Sequence, residues 1–206
     1  MMASYGHLAV GLLAGRLHGG ADSAPTQRER KDQRTSAGTL LFFAALAELP
    51  DADVLGVACG VRDLGRFGHR GASHSFLMAV AIGLLSGLAA RRFGWPAVRT
   101  AVAATLAVAS HGILDACGEG GRGILLLWPL SDARFMSPWR VLPNAPRGMK
   151  MLSSAGLLDL AVEFAVFFPL TAFALWPGRR TLLRRRAPPL PARPQTSALA
   201  TEPAQR

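Results

Sequence analysis

Seven side chains able to hold a metal ion or move a proton recur along an otherwise apolar chain: His7, Asp51, Asp53, His69, His74, His111 and Asp115. His111 and Asp115 are four apart, so on a helix they share one face. His69-Arg70-Gly71-Ala72-Ser73-His74 puts two imidazoles around a turn. Imidazole nitrogens with carboxylates, and no thiolates, suit zinc, manganese or iron. The set is large enough for two or three ions. Taken singly, each member has a plainer explanation: a hydrogen-bonded core histidine, or a turn made by Asp51-Ala52-Asp53.

The elements that must position these groups read as helices. Residues 3–18 form a short apolar helix carrying His7. Residues 37–49 form a second, ended by Pro50. Residues 73–92, 97–116 and 155–176 are long enough to cross a bilayer, which takes about 20 apolar residues. Ser73 is a candidate N-cap for the first of the three, and Pro169 predicts a kink in the last. Residues 76–90 are apolar all round, with none of the polar stripe of a soluble helix. Residues 54–72 and 118–153 read as loops. No β-alternation or internal repeat is present. The expected fold is all-α, a membrane-embedded bundle of about five helices over residues 1–177, followed by a basic, then Pro/Ala-rich tail over 178–206.

Composition agrees. The chain has 206 residues, 50% hydrophobic and only 17% charged, with a net charge of +10 and a mean hydropathy of +0.25. That excludes a mainly disordered chain. The basic excess admits a nucleic-acid surface or a cytoplasmic membrane face. The first charge, Arg16, follows the first apolar stretch, the reverse of a secretory signal, so the N-terminus is expected to be retained. Cys59 and Cys117 lack a C-x-x-C context and are expected as separate thiols.

If every helix crosses, one side holds residues 16–36, 91–99 and the tail, with 15 Lys and Arg and 4 Asp and Glu. The other holds 8 and 9, so the sides carry about +11 and −1. The positive side, with Trp95 and Trp176 at its boundary, is then cytoplasmic. All seven ligand-type residues fall on the opposite side; the fifth histidine, His18, does not. Charged groups at membrane depth cost at least ~2.5 kcal/mol each on insertion scales, and unrelated accidents would not select one face.

Gly6-His7, Leu49-Pro50-Asp51-Ala52-Asp53, His69-Arg70-Gly71-Ala72-Ser73-His74-Ser75, Ser110-His111-Gly112-Ile113-Leu114-Asp115, and Gly123 leading to Leu127-Trp128-Pro129 resemble, in order and spacing, the YdjM-type family of inner-membrane metal-dependent hydrolases. Ser73 stands where that family usually has Thr, and Cys117 near a common Thr. The family is more distantly similar to zinc-dependent phospholipase C and P1 nuclease. The resemblance implies that His7, Asp51, His69, His111 and Asp115 bind metal, with His74 a ligand or a group that orients one. It implies one to three divalent ions, zinc foremost, in a bacterial inner membrane. It also implies a helix glutamate, Glu163, with Asp159 as competitor.

The chemistry expected is hydrolysis, since a bound ion lowers the pKa of its water toward ~7. Asp53 or Glu163 would take the water's proton, and Arg70 would neutralise a phosphate. The substrate would be a small-molecule, lipid or lipid-linked phosphoester, with membrane lipids as partners. The competing function is a non-enzymatic metal or proton transporter or sensor, which should carry polar groups through the membrane depth. A nucleic-acid partner is not expected, because the arginines sit at helix ends and in the tail. Gly118-Glu119-Gly120-Gly121-Arg122-Gly123 matches G-x-G-x-x-G but follows a helix, so a dinucleotide site is set aside.

Overall fold

Among the described residues, five long helices and one short one carry the fold: α1 (Tyr5–Gly20), α2 (Ala37–Glu48), α3 (Asp53–Ala58), α4 (Phe76–Ala90), α5 (Ala97–Ala116) and α6 (Ser154–Leu175). The computed structural model describes residues 5–20, 37–63, 65–118, 122–140, 142 and 152–176. The polar segment beyond Gly20, the centre of the Gly118–Gly123 run and the tail from residue 178 lie outside the described residues. Residues up to Leu175 form one compact unit. No strand occurs among the described residues, only isolated bridges such as Ile124 with Phe135.

Among the described residues, three segments are long and apolar enough to cross a membrane: Phe76–Phe93, Ala97–Ala116 and Ser154–Leu175. Their large apolar side chains point outward; Leu84, Leu88, Leu106 and Phe168 are all exposed. The interior is built instead from small residues around Phe43, with Ala47, Ala79, Ala104 and Ala107. His7, His111 and Thr100 are among its largest fully buried side chains. Hydrocarbon solvent removes the incentive to hide leucine, so association rests on close packing and polar contacts.

Glycines allow the closest approaches. A Cβ on Gly11 of α1 would stand 2.6 Å from Ala44 Cα, and one on Gly15 would stand 3.0 Å from Leu40 Cα. The opposite drift of these partners makes α1 and α2 an antiparallel pair. On α4, a Cβ on Gly87 would stand 2.7 Å from the Ala97 carbonyl oxygen of α5. The Gly-x-x-x-Gly spacings Gly11/Gly15 and Gly83/Gly87 are the usual device for such contacts in membranes.

Two local expectations are corrected. Ser75, not Ser73, caps α4: its hydroxyl accepts from the Met78 amide, whereas Ser73 donates to Asp53. Residues 54–72 are not wholly loop, since Asp53–Ala58 forms α3. α6 runs as one helix from Ser154 to Leu175 with Pro169 inside it. The two cysteines are separate thiols.

Candidate metal centre

Chain breaks at the helix ends bring the ligand-type residues together. Pro50 offers no amide hydrogen, and α2 gives way at Glu48 to a 3-10 turn, Leu49–Ala52, that buries Asp51. The segment before α4 folds tightly on itself. Ala72 donates to the Arg66 carbonyl at 2.7 Å, and Arg70 takes a left-handed backbone with φ 62°. A second 3-10 turn, Ala72–His74, then delivers a buried His74. His111 and Asp115 come from the end of α5, buried on one face.

Four of these side chains surround a common point. Asp51, His74, His111 and Asp115 each offer an atom within 4.8 Å of the others, and all four are buried. His74 Nε2 lies 3.6 Å from Asp51 Oδ1 and 3.6 Å from Asp115 Oδ2. His111 Nε2 lies 3.4 Å from Asp51 Oδ1 and 3.9 Å from Asp115 Oδ2. A tetrahedral ion with bonds of ~2.0–2.1 Å requires ligand edges of about 3.4 Å. Asp51 Oδ1 and Oδ2, His74 Nε2 and His111 Nε2 are buried without a hydrogen-bond partner. Such atoms are costly unless something occupies the space between them. The residues present therefore fit a divalent cation.

The rings are held from behind. His111 donates through Nδ1 to the Ala47 carbonyl at 2.7 Å. Asp53 accepts from His69 Nδ1 at 2.9 Å, from the Arg70 amide at 3.1 Å and from Ser73 Oγ at 2.6 Å. The Ser73 hydroxyl, its proton given to Asp53, accepts from His74 Nδ1 at 3.0 Å. These bonds leave Nε2 of His74 and His111 as the inward-facing nitrogens, the arrangement that fixes tautomers in metal sites. Asp53, His69 and His74 form a second, adjoining group. Here Asp53 orients the rings through its hydrogen bonds.

The remaining expected residues border this centre. His7 stacks on His111 with ring centroids 3.8 Å apart, and its Nε2 lies 3.4 Å from Asp115 Oδ1. Arg70 is buried, with Nε 3.2 Å from Asp115 Oδ2. Glu163 is buried on α6 and accepts from the Gly6 amide, beside His7, at 3.0 Å. Asp159 is only half-buried, so the structure distinguishes the two helix acids by burial. Sequence reasoning missed Glu48. Its Oε1 is buried without a hydrogen-bond partner, and it feels the charges of His111, Asp51, Glu163 and Asp115. The signal was available: Glu48 ends a helix otherwise free of charge. His18 lies away from the centre, with Nε2 2.9 Å from Thr100 Oγ1.

Electrostatics follow from this crowding. Burial opposes the Asp51 carboxylate, but close contacts with His111 and His74 outweigh it and hold Asp51 well below the usual range. Burial likewise opposes Asp53, and His69, His74 and Ser73 overcome it. Burial also opposes a charged His74, yet Asp115, Asp51 and Asp53 push that ring up to about 10. Without an ion, the three carboxylates attract a proton in its place.

Comparison with known proteins places this arrangement in context. The family model described as YdjM inner membrane protein matches residues 1–182. The inner membrane protein YbcI of Escherichia coli (strain K12) is 44% identical over 109 residues, covering 52% of this chain. The match spans 63% of that relative's length. No solved structure matches.

Proposed function

Since the chain belongs to the YdjM inner membrane protein family, we propose that it is a membrane-embedded, metal-dependent hydrolase of phosphoesters. The observation that supports this is the buried quartet Asp51, His74, His111 and Asp115 with ligand atoms within 4.8 Å and inward nitrogens that lack hydrogen-bond partners. Two nitrogens and two carboxylate oxygens suit zinc. When bound, the ion would acidify a water toward ~7 and polarise the phosphoryl oxygen.

The chain's own residues would do the rest. Arg70, buried 3.2 Å from Asp115, would turn its guanidinium to the phosphate. Water oxygen bonds to phosphorus as the ester P–O bond breaks, and the water proton passes to a carboxylate. Asp53 already serves His69, Arg70 and Ser73, which favours Glu163 for that role. The proton then returns to the leaving alkoxide. The positive-inside count would put the tail in the cytoplasm and the centre on the opposite face. A site at that membrane surface favours lipid or lipid-linked phosphoesters.

Metal content of the purified protein tests the site. Wild type should hold at least one zinc per chain, and His111→Ala and Asp115→Ala should lose it; equal content in all three overturns the assignment. Hydrolysis of a generic phosphodiester by the zinc-loaded wild type then separates an enzyme from a transporter or sensor.

A further inference from the structure

A groove between α1 and α5 belongs to none of the chemistry above. Its wall on α1 runs from Val10 to His18 and on α5 from Arg99 to Ala107, enclosing a cavity of about 460 Å³. Both walls follow i, i+3, i+4, i+7, i+8 spacing, so two helical stripes face each other. At 1.5 Å per residue the groove is ~12 Å long and runs along the helices. Apart from His18 and Arg99, its walls are Val, Leu and Ala. Leu17, Val102 and Leu106 are more than half exposed at its rim, so it opens sideways toward the surrounding hydrocarbon.

One end differs. Arg99 donates to the Leu17 carbonyl at 2.7 Å, and His18 is fixed against Thr100 and beside Trp95, with ring centroids 5.6 Å apart. The described charged residues at the α1 C-terminus, the α4–α5 turn and the α5 N-terminus are Arg16, Arg91, Arg92 and Arg99, with no Asp or Glu among them. An apolar slot with Arg99 and His18 in its wall at one end, and Trp95 beside His18, matches an amphiphile with a negative head.

We propose that this groove is a binding site for one anionic membrane lipid, with an acyl chain between α1 and α5 and its phosphate at Arg99. A free phosphate would leave the apolar walls uncovered, and a zwitterionic lipid would gain less from Arg99 and the net positive charge of the helix ends around it. The site is independent of the metal centre, which lies toward the other end of α1 and α5.

Native mass spectrometry of the full chain in neutral detergent, with equal phosphatidylglycerol and phosphatidylcholine, tests this. Wild type should retain one phosphatidylglycerol, favoured ~5-fold or more. Arg99→Gln should bring the two lipids toward parity. Ala103→Phe, which fills the groove, should abolish retention of both while leaving zinc content unchanged. Equal retention of the two lipids by wild type, or a lipid-free dimer covering the groove, overturns the proposal. So does an unchanged preference in Ala103→Phe. The wild-type comparison and Ala103→Phe decide the matter even if Arg99→Gln fails to fold.

Discussion

His111 and Ala47 are joined by a 2.7 Å hydrogen bond from the imidazole Nδ1 to the carbonyl oxygen. That carbonyl belongs to the last turn of α2, where helix geometry leaves acceptors without an intrahelical donor. The ring satisfies it, ties α5 to α2, and is thereby turned so that Nε2 faces Asp51. A structural need of one helix thus sets the tautomer of a candidate ligand on another.

The same logic makes Asp53 more important than a turn residue. Asp53→Asn keeps the size but gives up the charge that orients His69 and the Ser73–His74 pair. Zinc affinity should fall ~10- to 100-fold, measured by competition with a chromogenic chelator. Ser73→Ala should cost less, and Ser73→Thr should retain wild-type affinity.

Gly112 links packing to the site. A Cβ there would stand 2.7 Å from the His74 carbonyl oxygen and 3.0 Å from Leu126 Cδ2. Gly112→Ala should push α5 from the His74 turn, costing about 1–3 kcal/mol of stability. Thermal unfolding and zinc titration should both show the loss, although no ligand atom is removed.

Arg70 predicts a separation of binding from turnover. Arg70→Gln should retain bound zinc, because the four ligand residues remain, while phosphodiester hydrolysis falls ~100-fold or more. Arg70→Gly should show the same loss of activity with a smaller stability penalty, because glycine accepts φ 62° without strain. Wild-type turnover in Arg70→Gln would remove Arg70 from the mechanism.

Proton release should accompany metal loading. The metal-free His74 ring is raised from 6.5 to about 10, so between those pH values the site carries a proton that zinc must displace. Calorimetry in buffers of different ionisation enthalpy should find about one proton released from His74 per zinc at pH 8. In the metal-free protein the sign is that of a raised histidine. The charged ring's contribution to stability is fully present below pH 6.5 and lost as pH rises through about 10. His74→Gln should flatten both profiles.

Much of this was legible in the chain itself. Uncharged runs such as 76–90 determined the helices and their membrane character, because an all-round apolar helix has no stable place in water. The i, i+4 spacing of His111 and Asp115 determined that they share a face, since helical geometry is local. Sequence order could not decide which carboxylate faces His111 and which faces His69. Asp51 and Asp53 are two residues apart, yet the 3-10 turn sends Asp51 toward His111 and Asp53 back onto His69, Arg70 and Ser73. Nor could it decide that Glu48 lies within the field of the centre, or that Ser75 rather than Ser73 caps α4. Those outcomes depend on how α1, α2, α4 and α5 close on one another. Glycine contacts and backbone carbonyls set that closure, and their partners lie dozens of residues away.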